Sequence, residues 1–125
     1  MVSLAPGWDL AVERGPDWLF VKLHCARENV WDSPPLADAV WNLLEQHFTH
    51  RLVIECDELI VLHSSLISEL VRLDKRVAAH GGVLRLCGLT EMNRRVLESC
   101  QLSGRFATTG NRAAAVLGER VATRR

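Results

Sequence analysis

With 125 residues, 48% of them apolar and 24% charged, the chain has the size and composition of one soluble globular domain, able to bury about two-thirds of its unfolded surface. Its 15 basic residues balance 15 acidic ones, which excludes nucleic-acid binding by bulk phosphate neutralisation. No apolar stretch approaches the roughly 18 residues of a membrane span, and no basic segment followed by an apolar one marks a secretory leader, so a cytoplasmic domain with no membrane contact is expected.

Trp8 to Arg14 alternates apolar and polar, and Gly15-Pro16-Asp17 follows as turn chemistry, which predicts an edge-like strand entering a hairpin. The second strand, Trp18 to Leu23, is more uniformly apolar and belongs deeper in the sheet. His24 to Trp31 has no period and reads as a loop. In Asp32-Ser33-Pro34-Pro35 a capping hydroxyl precedes prolines whose missing N–H groups cost nothing in a first helical turn. Leu36, Val40, Leu43 and Leu44 mark the inner face of that helix to about His47, with Trp41 and Phe48 widening the stripe. His47 and His50 flank its end, where cationic side chains are ordinary.

The stretch from Arg51 to Gly82 organises the rest. Leu52-Val53-Ile54 is an apolar run too short for a helix, as in a strand buried on both faces. Asp57-Glu58 breaks the run, and after Leu59 to Leu62 a helical period begins: Leu66, Ile67, Leu70, Val71, Leu73, Val77, Ala78. Ser64 or Ser65 is placed to cap this helix, with Ser64 the better candidate, and Gly81-Gly82 ends it because glycine takes the left-handed conformation freely. Val83 to Cys87 is the next strand, so the unit from Leu52 predicts a parallel pair with a right-handed crossover. Thr90 caps a third helix, Glu91 to Cys100, with Met92, Val96, Leu97 and Cys100 inward. A short strand at Arg105 to Thr108 and an alanine-rich helix, capped by Thr109-Gly110-Asn111 and ending near Val121, complete the chain. The fold class is α/β, a single mixed sheet with helices packed on it, in one domain over residues 1–125.

Cys25, Cys56, Cys87 and Cys100 are widely spaced, with no Cys-x-x-Cys and no paired histidines at zinc-ligand intervals, so they read as free thiols and no metal or cofactor is called for. Cys56 and Cys87 end strands expected to be neighbours.

Laid out this way, the chain resembles the STAS domain family of bacterial anti-sigma-factor antagonists and their relatives. The resemblance rests on the Gly-Pro hairpin, the acidic end of the central strand, the hydroxyl pair at a helix start, and the later Leu84 to Leu89 and Gln101 to Phe106 stretches. It implies a STAS-like fold and a non-enzymatic module that binds a partner-switching kinase, an anti-sigma factor or other STAS proteins through the start of the 64–79 helix. It also implies phosphorylation at Ser65, second in the hydroxyl pair, with Ser64 the fallback. His63 stands where the family usually has aspartate, and Leu66 where it usually has glycine. Both departures weaken the case for regulated phosphorylation and favour a constitutive scaffold subunit. His63, Ser64, Ser65 and Leu66 are the expected partner contacts, joined by Trp31, whose loop position gives no periodic reason for burial.

A small serine hydrolase is the third possibility, with His63 as base. It lacks a Gly-x-Ser-x-Gly elbow and an identifiable orienting group, and adjacent residues seldom face each other as base and nucleophile. Glu55, Asp57 and Glu58 form an acidic cluster before the hydroxyl pair, the kind of group that is usually just solvated.

Overall fold

The computed structural model describes residues 2–27, 34–102 and 104–117. Among them, strands β1 (Val2–Ala5), β2 (Trp8–Arg14), β3 (Leu19–Cys25), β4 (Arg51–Glu55), β5 (Val83–Cys87) and β6 (Ala107–Thr109) alternate in part with helices α1 (Leu36–Gln46), α2 (Ser64–Ala79), α3 (Glu91–Ser99) and α4 (Arg112–Leu117). The six strands form one sheet in sequential order, antiparallel from β1 to β3 and parallel from β3 to β6. Right-handed crossovers that step across a sheet in one direction leave their helices on one face. The main core accordingly joins Leu36, Leu44, Leu66, Leu70 and Leu97 to Leu52, Ile54, Leu84 and Leu86 of the sheet.

β4 is covered on both faces. Leu52 and Ile54 point into the main core, while Val53 joins a smaller core with Trp18, Phe20, Cys87 and Ala115 of α4. All three are fully buried, as the unbroken apolar run requires. Arg112 pins α4 to the second face by pairing with Glu13 at 2.8 Å and Glu55 at 2.7 Å.

α2 has the expected bounds and buries Leu66, Ile67, Leu70, Leu73 and Val77; Val71 is partly buried and Ala78 is exposed, on the outer side of the last turn. It closes as a Schellman motif, with Gly81 at φ 72° donating to the Ala78 carbonyl and Gly82 to that of Val77.

Several expectations are corrected. β2 is interior, because the four-residue β1, too short to show a period, pairs along it and takes the edge. β3 runs to Cys25, since β2 supplies pairing partners along its whole length up to Trp8↔Cys25. α1 begins at Leu36 with Pro35 at the cap position and no capping side chain of its own; Glu69 Oε1 of α2 accepts instead from the Ala37 N–H at 2.9 Å. The expected capping hydroxyl of Ser33 lies outside the described residues, as does Trp31. Phe48 does not extend the buried stripe: the chain reverses there at φ 53°, and the ring is 93% exposed. On α3, Met92 is 68% exposed and Cys100 is exposed, because its inward face is set by Asn93 and Leu97. β6 starts two residues later than expected, and the expected end of α4 near Val121 lies beyond the described residues.

Candidate functional site

The parallel strands end together at Glu55 and Cys87, and the connection from β4 to α2 crosses this apex of the sheet. Leu59 and Leu62 plug the connection into the core, at 3% and 2% exposure, and leave Ile60 outside at 45%. Asn93 of α3 fixes the segment further. Its Oδ1 accepts from the Leu62 N–H at 3.1 Å, and its Nδ2 donates to the Leu59 carbonyl at 3.3 Å, all of it buried. Thr90 in turn caps α3 by accepting from the Asn93 N–H at 3.1 Å. At the turn after β5, Gly88 has φ 73°, and a Cβ there would press on Asp57 at 3.0 Å, so this approach of the two apical loops needs glycine.

His63, not Ser64, is the N-cap of α2. Its backbone is extended, and Nδ1 accepts from the Leu66 N–H at 3.4 Å. An imidazole Nδ1 branches from Cγ as an aspartate oxygen does, so a histidine without a proton on that nitrogen can take over aspartate's capping role. Nδ1 is thereby engaged at the helix end, on the Leu66 N–H. Ser64 and Ser65 fall on the first turn, Ser64 exposed and Ser65 partly exposed, and neither hydroxyl hydrogen-bonds among the described residues. The expectation that capping would engage Ser64 and leave Ser65 freer is therefore not met. Leu66 is fully buried, so it anchors the helix to the core and offers no side chain to a partner.

The acidic cluster is divided by the strands. Glu55 is 9% exposed and held by Arg112, whereas Asp57 meets Lys22 at 3.2 Å and Glu58 meets His24 at 2.6 Å. The hydrogen bond to Asp57 holds the Lys22 ammonium above its usual pKa. Burial pushes the Cys87 thiol up to about 11 and the Cys56 thiol further still, so neither is a thiolate nucleophile near neutral pH. Both are free thiols, and their backbones meet through the Cys56 N–H and the Cys87 carbonyl at 2.8 Å. At the opposite end of the sheet, His50 stacks on Trp41 with centroids 5.3 Å apart, and His80 lies 4.6 Å from the same ring.

The model for the STAS domain matches residues 29–115, which include the apical connection, α2 and the strands on either side of it. The chain belongs to the STAS domain family. Solved structures share the fold of this STAS domain. A candidate anti-sigma factor antagonist from Thermotoga maritima is 14% identical with a TM-score of 0.67, covering 86% of this chain and 92% of that one. A serine-to-glutamate variant of RsbS from Moorella thermoacetica is 16% identical with a TM-score of 0.69, covering 86% and 91%. A chain from a structure of the stressosome, described as a signal integration and transduction hub, is 20% identical with a TM-score of 0.65, covering 85% and 92%. No curated protein matches this STAS domain.

Asn93 is the site residue that sequence reasoning missed. Its spacing of four from Leu97 places it on the inner face of α3, where a lone amide among apolar residues signals backbone groups to be satisfied.

Proposed function

We propose that this STAS domain is a non-enzymatic interaction module that binds a partner-switching kinase or an anti-sigma factor through the apical end of α2. Phosphorylation at Ser65, with Ser64 the fallback, controls that binding. The observation that carries this reading is the unoccupied hydroxyl pair on the first turn of α2, left free by the histidine cap. A phosphate there adds about −1.5 to −2 charges at a helix N-terminus, whose dipole tolerates it, while changing the sign of the surface a partner meets. The family register favours Ser65; the greater exposure of Ser64 keeps the fallback in play.

Mass spectrometry after incubation with ATP and a cognate serine kinase tests the reading. The expected result is phosphate on Ser65, with Ser65→Asp weakening partner binding and Ser65→Ala preserving it. Phosphate on neither serine leaves the second reading, a constitutive STAS scaffold subunit. His63 at the usual aspartate position favours that alternative.

A further inference from the structure

Three helices end in Schellman motifs, with Phe48, Gly81 and Gln101 at the left-handed position. Glycine takes that position without steric penalty, and phenylalanine does not. Phe48 is fixed there by its N–H to the Glu45 carbonyl at 3.3 Å and by the Thr49 N–H to the Leu44 carbonyl at 3.2 Å. Its ring is 93% exposed, so the fold gains almost no burial from it. An unfavourable backbone carrying an exposed aromatic side chain suits an external contact.

Phe48 borders an open hollow of about 470 Å³ at the base of the sheet, lined also by Arg14, Asp17, His50, Arg51 and His80. Arg14 donates to the Gly15 and Trp18 carbonyls, and Arg51 lies 5.9 Å from the Trp18 ring centroid. Among the described residues neither arginine pairs with a carboxylate. The base therefore offers an aromatic knob beside two arginines, with Asp17 the one carboxylate among the residues lining the hollow.

The apex offers the complement. Ile60 and Met92 are 45% and 68% exposed, and the bonds of Asn93 to the Leu59 carbonyl and the Leu62 N–H bring them to the same end of the domain. Around them stand Asp57, Glu58 and Glu91, with side chains 48%, 44% and 62% exposed. Lys22, His24 and Arg95 already touch these carboxylates, but a carboxylate can accept from several donors. α2 spans the distance between the two ends, roughly 24 Å.

We propose that the domain associates head to tail with a second copy of itself, the Phe48 base of one seating on the Ile60 and Met92 apex of the next. Arg14 and Arg51 then face carboxylates, and the phenyl ring meets a thioether and a branched aliphatic chain, a favourable pairing for both. Because the two surfaces lie on opposite ends, the contact is heterologous and extends into a row instead of closing as a two-fold dimer. It does not depend on the phosphorylation reading, since the purified chain alone is the probe.

Sedimentation velocity across a wide concentration range tests it. The wild-type chain should grow beyond a dimer with concentration, and less so at high salt. Phe48→Asp and Met92→Lys should each be monomeric. Mixed in equal amounts they should form a dimer and stop there, because each retains the surface the other has lost. Both positions are exposed, and Phe48→Gly, which suits the backbone, serves as a second knob-less variant. A wild-type chain that stays monomeric throughout overturns the proposal and leaves a different protein as the occupant of Phe48. Variants that remain monomeric when mixed, or that associate as well as wild type, overturn it too.

Discussion

Replacing Asn93 with alanine removes both ends of the bridge that holds the segment before α2. The side chain is 1% exposed, and its two partners, the Leu62 N–H at 3.1 Å and the Leu59 carbonyl at 3.3 Å, are backbone groups with no route to bulk water. A buried group left without its partner costs about 1–3 kcal/mol, so losing both places Asn93→Ala at about 2–6 kcal/mol. Asn93→Asp separates the two halves. It keeps the acceptor for Leu62 but turns a carboxylate oxygen toward the Leu59 carbonyl, and burial raises the pKa of the new acid in the folded state. Below the unfolded-state pKa both states are protonated and the penalty is smallest. As pH rises toward neutrality the unfolded chain ionises more readily, and the variant loses stability relative to wild type. Urea melts at several pH values, with hydrogen exchange read at the Leu62 amide, measure both effects. A cost under about 0.5 kcal/mol for Asn93→Ala, well below one lost buried bond, or unchanged exchange at Leu62, refutes the assignment of Asn93 as the brace of this segment.

Leu70→Ala, at a fully buried position on the inner face of α2, should cost about 2–5 kcal/mol in the same melts, and a value under 1 kcal/mol contradicts the packing of that face. His63→Ala should cost about 1 kcal/mol through loss of the cap, and His63→Asp should restore it; equal losses in the two variants would show that capping is not what His63 contributes. In thiol titration of the native chain at neutral pH, Cys100 should react well ahead of Cys25, Cys56 and Cys87, which are buried. An unfolded thiol ionises near its ordinary value of about 8.5, whereas Cys87 holds its proton to about 11, so this contribution to stability is full below about pH 8.5 and falls as pH rises toward 11. Melts that show no decline over that interval count against the buried, protonated thiols.

The centre of this fold is legible because its signals are local and agree. The Leu52 to Ile54 run is uniformly apolar, α2 carries a helical period along its length, and Gly81 supplies the one residue type that closes its end without strain. The periphery depends on partners that sequence does not place nearby. β1 has four residues and becomes a strand only because β2 offers it an edge. Phe48 continues the helical spacing of α1, and nothing in that spacing reveals that its backbone turns over. In the site, the hydroxyl pair is legible, but the cap lies one residue before the serine that capping preference points to, because serine outranks histidine in that preference. The signal that places it lies in the family resemblance, which implies aspartate, itself a strong capping residue, at the position of His63.

The carboxylate that Glu69 lends to the first turn of α1 joins two helices that are otherwise separate in sequence. α1 has no capping side chain of its own among the described residues, so its Ala37 N–H keeps the Glu69 acceptor only while α2 remains wound as far as Glu69, on the turn after Ser64 and Ser65. Unwinding the beginning of α2 therefore strips the Ala37 amide of its acceptor at the same moment. Through this one bond the start of α1 is coupled to the turn of α2 that follows the hydroxyl pair, although β4 lies between the two helices in sequence.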